Sequence, residues 1–456
     1  MSNLTDRFVL ENRDRFLQEL LEFLRIPSIS TLPEHRADVE RAAAFVAKAL
    51  GDAGLDNVRL IQTAGHPLVY ADWLHAPGKP TVLCYGHYDV QPPDPLELWK
   101  TPPFEPSIRD GNIYARGAAD DKGQMYMHIK AVEALLKTGG SLPVNVRFLV
   151  EGEEEIGGAS IAKYVAEHPE KLKADVALVS DTALYAEGLP TLCVGLRGLA
   201  YLEVEAAGPA RDLHSGYYGG AAPNAVFGLI EFLAKCKDAN GTIQIPGFYD
   251  EVTPPSAVEK QSWERLPFDE QRFLGHEVGS SALTGEREFT VLERVWARPA
   301  FEVHGIAGGF TAAGQKTVIP AKATAKVSFR LVPHQDPARC IALFREFVAK
   351  HAPAGIQMEV RVLGASAAIS VNPDHPAIET AARAFSDVFG KPTVFTRNGG
   401  SIPVVGDFAR HLGIPSVLMG FGLPDDGLHS PNEKYRLENY YTGILTIAHF
   451  FEEYGK

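Results

Sequence analysis

The sequence predicts an α/β fold: a mostly parallel sheet sandwiched by helices, interrupted by an inserted α+β unit. Three observations carry this expectation. Short apolar segments near 57–63, 67–73, 80–86, 144–150 and 175–180 alternate with amphipathic helical patterns, as expected of a largely parallel sheet covered on both faces. After "TLCVGLRG" the character changes, and "LAYLEVEAAG" alternates apolar and polar residues, the pattern of a half-buried strand. The first pattern then returns in helix 376–389 and strands 392–396 and 415–421. The 456 residues are therefore expected to form a discontinuous α/β domain, 1–196 and 368–456, with a second domain, 197–367, inserted between its parts.

Each element has its own signal. Phe8, Phe16, Leu20 and Leu24 recur at helical spacing among charges, so 4–25 is expected to be an amphipathic helix and not a signal peptide. A second helix, 35–53, closes on a glycine. Helices 123–138 and 158–167 separate the strands that follow. In the inserted domain, "PNAVFGLIEFLAKCK" is a helix entered through Pro223. A long irregular piece, 240–316, precedes strand 323–332, helix 336–351 and strand 356–363. Together they suggest a β-α-β-β-α-β, ferredoxin-like unit carrying an insertion.

Composition narrows the function. A net charge of -13 argues against nucleic acid or an anionic membrane as partner, since both need clustered Lys and Arg. No run approaches the ~18 apolar residues of a membrane span. Cys84, Cys193, Cys236 and Cys340 are far apart and form no C-x-x-C pair. That usage suits a reducing compartment, so a cytoplasmic protein is expected.

The chemistry is expected where open parallel sheets bind ligands, beyond the carboxyl ends of their strands. Those ends carry His87 and Asp89 in "GHYDV", Asp120 and Asp121 in "ARGAADDKG", the cluster "EGEEEIGG", Asp181 in "SDT" and His429 after "GLPDDG". Each alone has an ordinary reading: a hydrogen-bonded structural histidine, a turn, or a solvated helix start favoured by the helix dipole. Jointly they make a nitrogen and oxygen donor set without thiolate, which suits Zn²⁺ or Mn²⁺. Asp89 follows His87 by two residues, which on an extended segment puts both side chains on one face. Asp89 can then accept a ring N–H of His87 and fix its tautomer.

With "LVSDT", "DLHSG", "RNGGSIP" and "DDGLHSPNE", these motifs resemble the di-zinc aminopeptidase-like family of aminoacylases, carboxypeptidase G, succinyl-diaminopimelate desuccinylase and the carnosinase/cytosolic nonspecific dipeptidase branch. "DLHSGYYGG", "SFRLVP" and "GGSIPV" are similar to the dipeptidase branch in particular. The resemblance implies a zinc-peptidase catalytic domain with an inserted lid and dimerisation domain. It implies two Zn²⁺ per subunit, with Mn²⁺ or Co²⁺ as substitutes. His87 and Asp181 would bind one ion and Glu155 and His429 the other, with Asp120 bridging and a cis peptide after it. Glu154 would be the general base acting on a metal-bridging water, Asp89 would support catalysis, and Glu153 would fall outside the site. His214 would reach across a homodimer interface to the partner's active site, while Arg330, Thr317, Gly400 and Ser401 would hold the substrate. The implied reaction is hydrolysis of dipeptides or short peptides with a free C-terminal carboxylate. The alternatives are an N-acyl amino acid deacylase or desuccinylase with the same metal chemistry, and a catalytically inactive binding or regulatory relative.

Overall fold

Nine strands make the main sheet of a computed structural model, which describes residues 2–400 and 402–456. At its centre, Thr81–His87 runs parallel to Asn145–Glu151 along its whole length, with His87 opposite Glu151. On its other side it runs parallel to Val176–Val179, which in turn is parallel to Ser416–Leu418. Four strands therefore deliver their carboxyl ends to the same edge. Asp56–Ile61 and Leu68–Trp73 extend the sheet antiparallel on one side. Thr191–Leu196 continues it on the other, flanked by Ile369–Ser370 and Val394–Asn398.

Side-chain alternation feeds two cores from one strand. Val82 and Cys84 enter a core with helices Arg36–Ala53, Lys122–Gly139, Pro376–Phe389 and Leu437–Tyr454. Leu83 and Tyr85 face the other way, toward helix Ala159–Glu167 and the segment around Val404, Val405 and Phe408. Both faces are thus dry, which explains why these strands read as unbroken apolar runs.

The chain between them forms a separate four-stranded antiparallel sheet in the order Ala300–Gly308, Lys322–Leu331, Gly198–Ala207, Gln357–Ser366. Helices Ala225–Lys235 and Pro337–His351 share its core through Leu229, Phe232, Phe344 and Phe347. This is the β-α-β-β-α-β arrangement. The two crossings between the sheets lie side by side: Ser370 pairs with Gly195, and Ser366 pairs with Leu199. Gly198 sits where they touch, and a Cβ there would come 2.6 Å from the backbone of Ser366 and Ala368.

Two expectations are corrected. The first helix is two, Ser2–Glu11 and Arg13–Leu24. At Asn12 the side chain donates to the carbonyl of Phe8 (2.8 Å), a local competition that Asn brings to helix interiors. The piece 240–316 is less irregular than expected. It holds helices Ala257–Trp263 and Val291–Trp296, each opened by a capping box, Ser256 with Glu259 and Thr290 with Glu293. It also holds the edge strand Ala300–Gly308, which is exposed from Glu302 onward and therefore shows no apolar alternation.

One buried ion pair positions the loop that enters the sheet edge. Arg116 Nη1 donates to Glu433 Oε2 at 2.7 Å, and both side chains are buried. The same carboxylate accepts the backbone N–H groups of Gly117 (2.9 Å), Ala119 (2.9 Å) and Asp120 (3.2 Å). Lys122, also buried, ties the far side of the loop to the carbonyl of Ile26 (2.6 Å). Removing one member of a buried pair leaves the other charge uncompensated, which costs on the order of 3–5 kcal/mol. Glu433→Ala should therefore lower the midpoint of thermal unfolding by several degrees. Glu433→Gln, which keeps one acceptor oxygen, should lower it less; an unchanged midpoint for Glu433→Ala would refute this account of the loop.

Candidate metal centre

Four strand ends and the Glu433-bound loop converge on one point. His87 ends the strand Thr81–His87 and is fully buried. Asp181 lies just beyond Val176–Val179, and Glu155 lies in the turn Glu154–Ile156 that follows Asn145–Glu151. His429 comes from the loop after Ser416–Leu418 and has a φ of 59°. Two ligand groups result, His87 with Asp120 and Asp181, and Asp120 with Glu155 and His429; within each, the donor atoms all lie within 4.8 Å of one another. Asp120 belongs to both. Its Oδ1 is 3.2 Å from His87 Nε2 and its Oδ2 is 3.0 Å from His429 Nε2. His429 Nε2 is also 3.3 Å from Glu155 Oε2. The peptide bond from Asp120 to Asp121 is cis.

The electrostatics fit divalent cations. Burial pushes the Asp181 carboxyl well above its usual range, and the charges of Asp121 and Asp120 push it further. Burial also raises Asp120, but the neighbouring His429 and His87 rings outweigh it and hold this carboxyl below its ordinary value. So many buried carboxylates repel one another unless positive charge sits among them. His87 Nε2 is buried without a hydrogen-bond partner, while Nδ1 lies 3.1 Å from the carbonyl oxygen of Asp89. A ring that donates through Nδ1 keeps Nε2 as a lone pair, the form that ligates metals. Both groups offer nitrogen and oxygen donors and no thiolate, a set suited to Zn²⁺ or Mn²⁺.

The residues behind these ligands refine the expectation for Asp89. Its Oδ1 lies 3.3 Å from His87 Nδ1, but its own backbone carbonyl is nearer to that nitrogen. The carboxylate takes a second task, accepting the backbone N–H groups of Glu154 (3.2 Å) and Glu155 (3.1 Å). Gln91 then donates to Glu155 Oε2 at 2.7 Å. Neither Gln91 nor Glu433 was singled out from the sequence. Gln91 continues the extended run of His87 and Asp89, and that spacing was the available signal. Glu433 stands inside "HSPNE", but nothing local names its partners.

The glutamate cluster separates into distinct environments. Glu151 is buried at its strand end and accepts from the Tyr85 hydroxyl (2.7 Å). Glu153 accepts the N–H groups of His66 (2.8 Å) and Ser160 (3.0 Å), so it caps the following helix. Glu155 joins a ligand group. The Glu154 carboxylate lies within electrostatic range of His87, Glu155, Asp120 and Asp89, and burial above all raises it to about 7.

The remaining predicted positions lie elsewhere. His214 is exposed, pairs with Val318 in a two-stranded ladder, and accepts the N–H of Gly216 at Nδ1 (2.9 Å). Thr317 is its neighbour there, accepting the N–H of Ser215 (3.0 Å). Arg330 is half-buried in Lys322–Leu331, opposite Ala300 and Leu199. Gly400 is exposed and donates to Asn398 Oδ1 (3.0 Å). Ser401 lies outside the described residues.

Comparison with known proteins agrees with this geometry. The chain is 34% identical to the Cys-Gly metallodipeptidase DUG1 of Candida albicans, covering 98% of this chain and 96% of the relative. It is 32% identical to the Beta-Ala-His dipeptidase of Homo sapiens, covering 97% and 90%. Among solved structures, the M20 family metallo-carboxypeptidase Sso-CP2 of Sulfolobus solfataricus superposes with a TM-score of 0.86 at 32% identity, covering 96% of this chain and 99% of that one. Residues 83–453 match the model of peptidase family M20/M25/M40, and the chain belongs to that family of metallopeptidases.

Proposed function

We propose that this metallopeptidase is a cytoplasmic, homodimeric di-zinc dipeptidase acting on dipeptides and short peptides with a free C-terminal carboxylate. The observation that carries the reading is the divided carboxylate of Asp120, one oxygen toward His87 and the other toward His429. His87 and Asp181 would hold one ion, Glu155 and His429 the other, and Asp120 both. Bound there, two divalent cations supply Lewis acidity toward a peptide carbonyl and lower the pKa of water. Glu154 takes the water's proton on its carboxylate and returns it to the departing amine nitrogen. Its elevated pKa of about 7 suits both directions of transfer. Asp89 keeps Glu154 and Glu155 in place by accepting their backbone N–H groups.

Residues 1–196 and 368–456 act as the catalytic domain in this reading, and 197–367 as lid and dimerisation domain. Arg330, with a planar fork suited to a carboxylate, and Gly400 and Ser401 hold the substrate's C-terminus, with Thr317 as a further contact. Relatives named as dipeptidases and a carboxypeptidase support this substrate class, since both kinds of enzyme release a residue bearing that carboxylate. His214 stabilises the oxyanion in the partner's active site. Exposed apolar side chains on the same unit, among them Tyr217, Phe227, Ile230, Ile306 and Phe310, supply the kind of patch that subunit interfaces cover. The four cysteines are all buried and unpaired, which suits the cytoplasm. Among the described residues no helix is long and apolar enough to cross a membrane.

Three experiments test the reading. Glu154→Gln should keep both metal ions by elemental analysis while kcat falls by about 10²–10⁴; Glu155→Ala should lose one metal equivalent. Near-normal turnover by Glu154→Gln would remove it as the base. A panel of dipeptides against N-acetyl and N-succinyl amino acids should show cleavage of the dipeptides, and preference for the acyl amino acids would shift the assignment to a deacylase. Finally, His214→Ala should retain its metals and lose turnover, and hybrid dimers with a metal-free Asp120→Asn subunit should recover activity. Hybrids that stay inactive would place the oxyanion donor within one subunit.

A further inference from the structure

Arg197 is the single residue between strand Thr191–Leu196 of the main sheet and strand Gly198–Ala207 of the inserted one. Its backbone N–H donates to the carbonyl of Asn398 (3.2 Å), which sets it beside the turn that contains Gly400. Gly399 leaves the space its guanidinium needs, because a Cβ there would lie 3.0 Å from Arg197 Nη2. Arg330 is close enough for its charge to act on the same guanidinium. Arg197 thus stands beside Arg330 and next to the turn of Gly400, two of the positions proposed above for the substrate's C-terminus.

What distinguishes Arg197 is that no described residue pairs with it, the opposite charge of Glu302 acting only at longer range. Three other arginines held inside the molecule each have a carboxylate partner: Arg116 has Glu433 (2.7 Å), Arg397 has Glu259 (2.6 Å) and Arg298 has Glu286 (2.6 Å). No described residue forms an ion pair with Arg197, and its Nε is buried without a hydrogen-bond partner. Burial, then the charge of Arg330, lowers its pKa to about 10, so it remains a cation at neutral pH. A largely desolvated guanidinium of this kind is costly unless an anion meets it.

We infer that Arg197 is a second anion-recognition residue that binds the C-terminal carboxylate of the peptide substrate beside Arg330. The inference rests on the dipeptide reading above. A carboxylate offers two oxygens to the planar guanidinium fork, and charge-assisted bonds of this kind are the strong ones. A C-terminal amide lacks the charge and half the acceptors, so Arg197 separates acid from amide substrates.

The test compares Cys-Gly with its C-terminal amide on wild type, Arg197→Met and Arg197→Lys, with metal content and melting temperature recorded for each. Wild type should prefer the acid. Arg197→Met should raise KM for the acid by about 10- to 100-fold, with little change for the amide. Arg197→Lys, which keeps the charge and loses the fork, should fall between and serves as the test if Arg197→Met does not fold. Equal losses on both substrates, or no loss on either, would make Arg197 a structural residue and overturn the inference alone. A wild type that cleaves acid and amide equally well would instead overturn the carboxylate reading, and this inference with it.

Discussion

The position of Asp120, which belongs to both candidate ligand groups, depends on one buried carboxylate, that of Glu433. Glu433 gathers the Arg116 side chain and three amides of the 117–120 segment. It does so from a stretch only four residues beyond His429. A single buried anion therefore fixes the loop that carries Asp120, common to both candidate ligand groups, and anchors the segment that carries His429. The pair is stable in so dry a place because its hydrogen bonds are nearly complete. Arg116 Nη2 also reaches the carbonyls of Pro92 and Ser430, both at 3.3 Å. Distance between the two ligand groups is thus set by backbone hydrogen bonding, which is stiffer than side-chain rotamer preference.

Around that anchor, chemically identical side chains differ through their partners. Glu153 is neutralised by amide dipoles at a helix start, Glu151 shares a hydroxyl proton, and Glu155 is steered by Gln91. Glu154 is the member with no hydrogen bond to its carboxylate among the described residues. Its rise in pKa has burial as its first cause and the neighbouring carboxylates as its next raising terms.

Much of this was legible in the sequence, for a physical reason. Parallel strands buried on both faces are continuous apolar runs, and polar residues that end them face a ligand edge, so His87, Asp181 and His429 were readable one strand at a time. The choice of Asp120 over Asp121, and of Glu155 within its cluster, followed from the family resemblance. Helices 257–263 and 291–296 were readable too, in the capping boxes "SAVE" and "TVLE", though the Pro and Gly content around them obscured it. Three features were not. The strand Ala300–Gly308 has an exposed face and no alternation to detect. The Glu433–Arg116 pair joins residues 317 positions apart, and the absence of an ion pair at Arg197 among the described residues can be seen only in three dimensions. Pairing across distant segments, and the lack of it, belongs to tertiary structure.

The inserted unit meets the main sheet in two ways: through two strands that run the junction together, hydrogen-bonded on both sides of it at Gly195–Ser370 and Leu199–Ser366, and through Glu259 of helix Ala257–Trp263, which pairs with Arg397 of strand Val394–Asn398. A single linker would let the unit swivel. A ribbon of two strands resists twist and shear, and bends readily only across its flat face. Gly198 allows the strands to touch there. With the buried Arg397–Glu259 pair (2.6 Å) as a second tie, the ribbon makes the joint a brace rather than a tether.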